Sequence, residues 1–199
     1  DPFFTIQLSL KRAFDIVLAL IILTFVLPLL ALISLAIVIE SGFPVFFLQQ
    51  RPGRDSDVFT IFKFRTMRHA GEIKSQAVHN DSRVTRVGKF LRRSSLDELP
   101  QLINVLLGHM SLVGPRPLPL WLDEQFAERF ESWRIRAGMR PGMTGLAQVN
   151  GARGEIIQDG DMERRFQLDL QYVGTWSLFL DVKILARTAL VIWLDERAY

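Results

Sequence analysis

Two adjacent carboxylates, Asp97 and Glu98, have residue types and a setting that suit chemistry on phosphate. They stand in the stretch Ser94-Ser-Leu-Asp-Glu-Leu-Pro100, where Ser95 and Glu98 have capping-box spacing and Pro100 suits a first helical turn. The positive end of a helix keeps a carboxylate ionised, as a nucleophile or Mg²⁺ ligand must be, and attracts phosphate. Acidic residues at a helix start are also common for structural reasons, so the motif alone does not decide.

Basic residues surround this acidic pair. Arg116 stands between Pro115 and Pro117, and a guanidinium group on a rigid loop binds phosphate bidentately with little loss of entropy. Each basic residue also has a structural interpretation: Arg116 could bond carbonyl groups, Arg140 could anchor a turn, and a strand carrying lysine and arginine could face solvent. The candidate phosphate-binding residues are Lys63, Arg65, Arg92, Arg116 and Arg140.

Composition excludes several other classes of protein. The 199 residues suffice for one domain with a core, and without cysteine there is no disulfide and no cysteine-based zinc site. His69, His79 and His109 are far apart and lack zinc-ligand spacing. The net charge is +3, with arginine clusters that suit lipid headgroups, phosphate or nucleic acid. We expect no nucleic acid partner, because the same chain carries a long apolar run.

That run, Ile16 to Ile39, has 24 residues without a charge and is long enough to span a bilayer. Pro28 divides it into halves of about 12 residues, each too short to span alone. Basic residues flank both ends, and the positive-inside rule favours the cytoplasmic face for both. We predict a helix-break-helix hairpin; a kinked transmembrane helix and a buried core helix are the alternatives. The chain then divides into a membrane part, residues 1–42, and a cytosolic domain, residues 43–199.

The cytosolic part predicts a small, mainly helical domain with a short β-hairpin, so the fold class is α+β. Residues 43–67 have the pattern of two strands around the turn Arg51-Pro-Gly-Arg-Asp55. Alternation along the second strand puts Phe59, Lys63 and Arg65 on one face.

Further elements follow from periodicity and from turn residues. Helices are predicted over Val84–Arg93 and Leu96–Leu107, and residues 68–82 form a polar loop or a short helix. Pro115–Pro119 is rigid and extended. The glycine-rich Met139–Arg153 is a candidate substrate loop.

Apolar side chains recur at helical spacing in two later segments. Leu122, Phe126, Phe130 and Trp133 form an aromatic stripe, and Leu178–Trp193 repeats the amphipathic pattern. Such a helix packs on a protein core or docks at a membrane interface. We expect amphipathic interfacial helices beside the membrane segment. For the aromatic stripe itself, core packing is the favoured interpretation and interfacial docking is the alternative.

Five motifs follow one another along the chain in an order typical of one known family. They are Lys11-Arg-Ala-Phe-Asp-Ile16, Phe62-Lys-Phe-Arg-Thr-Met67, Leu91-Arg-Arg-Ser-Ser-Leu-Asp-Glu-Leu-Pro-Gln101, Met110-Ser-Leu-Val-Gly-Pro-Arg-Pro117 and Arg140-Pro-Gly-Met-Thr-Gly-Leu-Ala-Gln-Val-Asn-Gly151. Together they resemble the bacterial sugar transferase family, the monotopic polyprenyl-phosphate phosphoglycosyl transferases. The resemblance runs from Lys11 to the C-terminus, and five motifs in order are much more specific than any one of them.

The resemblance implies a ping-pong reaction with a covalent intermediate. Asp97 attacks the β-phosphorus of a UDP-sugar and expels UMP, and polyprenyl phosphate then attacks the phosphosugar–enzyme adduct. Glu98 helps to hold Mg²⁺ against the diphosphate, as catalytic partner and metal ligand. The basic residues that match family motifs, and for which we expect phosphate contacts, are Lys63, Arg65, Arg92, Arg116 and Arg140.

The family also implies a re-entrant membrane helix broken near Pro28, although Leu27 stands where the family often has serine. The expected location is the bacterial inner membrane, with the catalytic domain on its cytoplasmic face. Expected partners are a UDP-sugar, undecaprenyl phosphate and membrane lipids, and a homodimer is left open. The reaction would be the first membrane step of exopolysaccharide or other glycoconjugate synthesis.

The part of the chain after Gly151 resembles the undecaprenyl-phosphate glucose phosphotransferase branch of the family. Members of that branch carry transmembrane helices before the catalytic domain, and the chain begins at Asp1 without methionine. We therefore expect it to be the C-terminal part of a longer protein. Glucose and galactose are the favoured sugars, and N-acetylhexosamines stay open.

Two other functions are weighed against this one. A lipid-diphosphate phosphatase or hydrolase would use the same dyad with water as acceptor, and would release sugar phosphate without lipid. A non-enzymatic, membrane-bound assembly module would hold anionic lipid or a partner protein, and its function would survive Asp97→Asn.

Overall fold

The computed structural model describes residues 2–68, 81–152 and 159–194. Its longest element is helix α1, Pro2–Ser41, and the remainder folds into shorter helices and two small sheets. By length and composition alone, Thr5–Ser41 is able to cross a membrane. The predicted mixture of helix and sheet is confirmed, and most of the polar segment predicted at residues 68–82 lies outside the described residues.

Helix α1 continues through Pro28 without interruption. The predicted break into two separate helices is therefore not confirmed; a proline removes one hydrogen bond and favours a bend, while the backbone stays helical on both sides. Hydroxyl groups elsewhere in the helix turn back onto its own carbonyls, as Thr24 does onto Leu20 and Ser34 onto Leu30. These polar side chains are thereby satisfied within the helix.

Both ends of α1 are attached to the rest of the protein, and its middle is exposed. Lys11 and Ala19 are buried near the first end, and Ile37 is buried near the second. Between them Phe25 is 81% exposed. The middle of the helix therefore has one exposed apolar side, while residues such as Leu23 and Val26 on its other side pack against the core.

The predicted hairpin is confirmed. Strands β1, Phe46–Pro52, and β2, Val58–Phe64, pair antiparallel in a register that sets Phe46 opposite Phe64. Phe59 and Ile61 on β2 are buried. They pack in a core that also receives side chains from α1 and from the helices described below.

Two helices and a tight turn follow the hairpin. Helix α2, Arg86–Arg93, lies within the predicted range, whereas the helix predicted over Leu96–Leu107 is divided into a 3₁₀ turn, Leu96–Glu98, and helix α3, Gln101–Leu107. The single-helix prediction is wrong because Leu99 N bonds to the carbonyl of Leu96, three residues back, at 3.3 Å, and Pro100 has no N–H with which to continue a helical ladder.

The capping box predicted for Ser95 and Glu98 is also wrong. The Ser95 side chain accepts no capping hydrogen bond, and Glu98 bonds to residues distant in sequence instead. A left-handed Ser95 does not have the extended backbone from which an N-cap side chain reaches the third residue of a helix.

The segment predicted as a glycine-rich loop is largely regular. Strand β3, Ser111–Val113, pairs in parallel with β4, Gly142–Thr144, and helix α5, Leu146–Val149, follows at once. The tight pairing of β3 with β4 explains the glycines there, since both strands approach closely. Arg153, at the end of that prediction, lies outside the described residues.

The aromatic stripe belongs to the core. Helix α4, Leu120–Arg129, and the 3₁₀ segment Trp133–Gly138 pack on helix α6, Asp159–Thr175. Phe126 and Trp133 are buried there. Core packing, the favoured interpretation, is thus confirmed for this stripe, and interfacial docking is wrong for it.

Helix α7, Leu178–Leu194, has two different faces. Ile184 is buried in the main core, whereas Phe179 is 80% and Leu190 is 62% exposed. The amphipathic pattern predicted here is confirmed as a helix, and part of its apolar surface remains uncovered by the described residues.

Candidate active site

Asp97 and Glu98 lie in the 3₁₀ turn between α2 and α3, immediately before Pro100. The predicted position, just before a helix start, is confirmed. The helix itself is only seven residues long. The electrostatic setting of the dyad is therefore determined mainly by charged side chains that other elements bring to it.

Glu98 is the centre of an ion-pair network. Lys63, on β2, donates from Nζ to Glu98 Oε1 at 2.8 Å. Arg116 donates from Nη1 to Glu98 Oε2 at 3.1 Å, and its Nη2 donates to Oε1. Three of the predicted site residues are thereby joined directly, although 35 positions separate Lys63 from Glu98.

The pKa values of the two carboxylates are shifted in opposite directions. Burial and the adjacent charge of Glu98 raise the pKa of Asp97 to about 6. Burial also acts to raise the pKa of Glu98, but the charges of Arg116 and Lys63 outweigh it and hold that pKa below its usual value. Glu98 is therefore a fixed anion, and Asp97 is a carboxylate that loses its proton close to neutral pH.

The loop that carries Arg116 is held through its carbonyl groups. Pro115 and Pro117 have no N–H, so a hydrogen bond to either residue must use its carbonyl oxygen. The carbonyl of Pro115 accepts from Gly142 N at 2.9 Å, that of Arg116 from Arg136 Nη2 at 2.8 Å, and that of Pro117 from Arg51 Nη1 at 2.9 Å. Three separate elements thus fix the loop.

Close packing at Gly114 sets the start of the same loop. A Cβ atom at Gly114 would lie 2.4 Å from the carbonyl oxygen of Arg140, and one at Gly142 would lie 2.1 Å from the Gly114 nitrogen. Side chains at these two positions would separate β3 from β4. The glycines therefore let the backbone that leads to Arg116 pass directly over β4.

Sequence reasoning missed the residues that support Arg116 from behind. Arg136 lies 4.2 Å above the centre of the Trp133 ring and donates from Nε to Asp169 Oδ2 at 2.9 Å. Asp169 is buried, and burial raises its pKa despite the charge of Arg136. The sequence offered one signal for this pair: Asp169 is a carboxylate on the buried side of the amphipathic helix α6, and a buried carboxylate requires a cationic or hydrogen-bonding partner.

Arg92 lies near the dyad without bonding to it in the contacts that are described. Its Nε donates to Thr66 Oγ1 at 2.9 Å, and its Nη2 lies 3.2 Å from the sulfur of Met67. Its charge is among those that act to lower the pKa of Asp97. The structure therefore brings Arg92 into the electrostatic neighbourhood of Asp97.

The structure does not bring Arg65 and Arg140 to the dyad. Arg65 lies just beyond β2 and donates to the carbonyls that follow α1, including those of Ser41 and Phe43. Arg140 donates from Nε to the carbonyl of Gly108 at 2.9 Å. Arg65 is buried, so the interpretation of a solvent-facing strand is wrong for it. The phosphate contacts of Arg65 and Arg140 stay a prediction.

Charged side chains of α1 attach it to the helices on either side of the dyad. Glu40 accepts hydrogen bonds from the first amides of α2, Arg86 N at 2.7 Å and Val87 N at 2.9 Å. Arg12 donates to the last carbonyls of α3, including Val105 O. These contacts satisfy opposite ends of two helices, where backbone groups lack partners within the helix.

A second lysine–carboxylate centre lies deeper in the protein. Lys11 Nζ donates to Asp181 Oδ2 at 2.6 Å and to the Val113 carbonyl at 3.0 Å. Asp181 also accepts from Tyr172 Oη at 2.8 Å and from Trp176 Nε1 at 3.2 Å. This centre joins α1, β3, α6 and α7.

The fit of the dyad to a metal ion differs between its two members. Among the described residues, no group of three or more histidine, cysteine, aspartate or glutamate side chains could hold a metal ion. Mg²⁺ is commonly held by one or two carboxylates together with substrate phosphates. Both Glu98 oxygens are already engaged by Lys63 and Arg116, so Asp97 fits a metal–diphosphate group better than Glu98 does.

Comparison with known proteins places the chain in a family. The sequence model described as bacterial sugar transferase matches residues 6–195. A UDP-glucose:undecaprenyl-phosphate glucose-1-phosphate transferase of Escherichia coli is 45% identical over 200 residues, which cover all of this chain and 43% of that protein. A Caulobacter vibrioides protein with the same name is 46% identical over 95% of this chain and 72% of its own length.

A third relative is nearly the same length as the chain. It is an exopolysaccharide production protein of Rhizobium leguminosarum, 43% identical over 92% of this chain and 94% of its own length. By contrast, the chain spans less than half of the Escherichia coli relative.

Proposed function

The chain belongs to the bacterial sugar transferase family, and from that premise we propose that it transfers a sugar 1-phosphate from a UDP-sugar to undecaprenyl phosphate. The single observation that carries the proposal is the Asp97–Glu98 turn, with Lys63 and Arg116 bound to its glutamate. A carboxylate with a pKa of about 6 beside fixed cations suits attack on a phosphorus atom.

The proposed reaction has two displacements at one phosphorus atom. Asp97 forms a bond to the β-phosphorus of the UDP-sugar as the bond to the bridging oxygen breaks, and UMP leaves with that oxygen and its electron pair. An oxygen of undecaprenyl phosphate then attacks the same phosphorus, and the Asp97 carboxylate is released. The product is undecaprenyl diphosphate sugar.

Lys63 and Arg116 would stabilise the negative charge on the transferred group. In the structure they rest on Glu98, so both cations are held close to Asp97 before substrate enters. Cations fixed in advance need not reorganise during the reaction, and this lowers the barrier. We assign Glu98 the task of holding them, and Arg92 a further phosphate contact.

Mg²⁺ stays part of the proposal as a partner of the donor diphosphate. It would supply charge neutralisation at the diphosphate when bound. Glu98 would have to release Lys63 or Arg116 to become a ligand, whereas the contacts described for residues 2–68, 81–152 and 159–194 engage no oxygen of Asp97. The contacts therefore support Asp97 as the metal ligand better than they support Glu98.

We also propose that α1 bends at Pro28, so that it enters the membrane and returns to the cytoplasmic face of the bacterial inner membrane. The support is that Lys11 and Glu40, at opposite ends of the apolar run, both bond to the same folded body. A straight span would put the two ends on opposite sides of the bilayer. The exposed apolar residues of α7, such as Phe179, suit contact with the membrane interface.

Glucose is the sugar that the relatives favour. The Escherichia coli and Caulobacter proteins are named for transfer of glucose 1-phosphate from UDP-glucose. The Rhizobium relative is named for exopolysaccharide production, which suits the proposed role at the first membrane step of such synthesis. Galactose and N-acetylhexosamines are the other donors to be tested.

The test is UMP release from a panel of UDP-sugars by detergent-solubilised protein with Mg²⁺ and undecaprenyl phosphate. We expect lipid-dependent UMP release from UDP-glucose, and a loss of about 10⁴-fold or more in Asp97→Asn because the nucleophile is removed. Asp55→Asn is the matched control, since Asp55 lies in the exposed hairpin turn with φ 55°, which asparagine also tolerates.

Other outcomes separate the competing functions. Release of sugar phosphate without lipid acceptor would favour a hydrolase. Binding of anionic lipid that is unchanged in Asp97→Asn, with no UMP from any donor, would favour the assembly module. UMP release that persists in Asp97→Asn would show that another group is the nucleophile.

A further inference from the structure

Arg51 is a basic residue beside the dyad that the proposed mechanism does not yet use. It lies on β1, one residue before the strand ends, and its guanidinium group is held at two points. Nη1 donates to the Pro117 carbonyl at 2.9 Å, and Nη2 donates to Gln49 Oε1 at 2.6 Å. These contacts fix Arg51 against the loop that carries Arg116.

The charge of Arg51 has no carboxylate partner among the described residues. Lys63 and Arg116 both pair with Glu98, whereas the contacts of Arg51 are a carbonyl and a neutral amide. Its Nε is buried and makes no hydrogen bond within the described part of the chain. Burial and the nearby charge of Arg116 lower the pKa of Arg51 to about 9.

An unpaired, partly buried cation with an unused donor is unfavourable for a folded protein. The neighbouring anion, Glu98, is already shared by two other cations. An incoming anion would give Arg51 both the charge and the acceptor that it lacks. A diphosphate suits the position, because it presents several acceptor oxygens and more than one negative charge.

We propose that Arg51 is a diphosphate-binding residue of the donor site. Its Nε–H donates to an oxygen of the UDP-sugar diphosphate, while the Pro117 and Gln49 contacts keep the group in place. This inference rests on the proposed function. The alternative is that Arg51 only anchors Pro117 and acts on the site through the fold.

The experiment measures UDP binding by calorimetry in the Asp97→Asn background, where no turnover occurs. We compare that protein with the same protein carrying Arg51→Gln, at two ionic strengths. We expect UDP to bind about 10- to 100-fold more weakly without Arg51, as for loss of a charge-assisted hydrogen bond. The dependence of UDP affinity on salt should also become weaker, because one contacting charge is gone.

Two further variants complete the test. Arg54→Gln, three residues along the same hairpin and paired with Asp55, should bind UDP as the background protein does. Arg51→Lys restores the charge without the planar fork, and should recover part of the affinity. If Arg51→Gln does not fold, Arg51→Lys still carries the test, with an expected several-fold loss.

Unchanged UDP affinity in Arg51→Gln or Arg51→Lys would overturn the assignment. So would weaker binding whose salt dependence equals that of the background protein, because a purely structural role would produce that result. These results are independent of the reaction itself: UMP release by the wild-type protein decides the proposed function, whereas UDP binding in the Asp97→Asn background decides the role of Arg51.

Discussion

Two lysine–carboxylate centres in the described part of the chain look alike in geometry and differ in their surroundings. The Lys63–Glu98 pair is 2.8 Å long with side chains 17% and 18% exposed, and the Lys11–Asp181 pair is 2.6 Å long with side chains 6% and 1% exposed. Asp181 also accepts from a tyrosine and a tryptophan, so neutral groups of the fold complete its coordination.

The difference shows how one pair of residue types serves two purposes. At Lys11–Asp181, the lysine meets the aspartate, neutral donors fill the remaining positions and the buried Asp15 lies within electrostatic range, so that centre has no surplus of cations. Around Glu98, additional cations gather, and the neighbouring Asp97 has a pKa raised to about 6 by burial and by the charge of Glu98. A surplus of cations beside a titrating carboxylate prepares that centre for an anionic substrate.

The largest effect that tests this comparison is expected when a charge is removed from the Lys11–Asp181 centre. We expect Lys11→Met to lose about 3–5 kcal/mol of stability, because Asp181 then stays buried without its cation. The measurement is thermal and chemical unfolding in detergent. UDP affinity of the protein that remains folded should be unchanged, since Lys11 lies outside the dyad network.

Lys89→Met is the matched control, because Lys89 is exposed on α2. It should unfold as the wild-type protein does. The double variant Lys11→Met/Asp181→Asn should lose less stability than the sum of the single variants. A sum that is fully additive would contradict the idea that the two residues form one unit.

The corresponding change at the dyad should affect activity more than stability. We expect Glu98→Gln to reduce kcat/KM for UMP release by about 100- to 1,000-fold, because Lys63 and Arg116 lose the anion that holds them beside Asp97. UMP release and the unfolding temperature are measured on the same preparations. Glu128→Gln, exposed on α4, is the control and should behave as wild type.

A smaller and more specific effect concerns pH. In the proposed mechanism Asp97 reacts as the carboxylate, and its pKa of about 6 means that UMP release should fall as the pH drops below about 6, by about tenfold per unit. The charge of Glu98 is one cause of the raised pKa, so the residual activity of Glu98→Gln should decline at a lower pH. A wild-type profile that stays flat down to pH 4.5 would exclude Asp97 as the titrating group.

Local patterns in the sequence predicted the dyad, the hairpin and the long apolar helix. Asp97 and Arg116 were identified from residue type and nearby prolines, and both lie at the site. The partners of Glu98 could not be predicted in this way, since Lys63 is 35 positions away and only the folded chain brings it close. The capping-box pattern therefore suggested a local partner for Glu98, and the ion pairs took its place.

Strand alternation was informative only as far as the strand extends. It put Arg65 on the face of Lys63, but β2 ends at Phe64 and the next side chain turns towards the end of α1. Likewise, Arg136 and Asp169 support Arg116 through one backbone carbonyl. Sequence patterns carry no information on such a contact.

The two attachments of α1 determine how far Asp97 lies from the membrane surface. Glu40 bonds to the first turn of α2 and Arg12 bonds to the last turn of α3. The turn that carries Asp97 connects these two helices, so both of its ends are fixed relative to α1. With α1 placed in the membrane as proposed, Asp97 is held at a constant distance from the lipid surface. The lipid phosphate arrives by diffusion in two dimensions at the level of the headgroups. Acceptor specificity would then depend partly on the depth of the lipid phosphate. A phosphate group that lies too deep in the membrane, or too far outside it, does not reach Asp97.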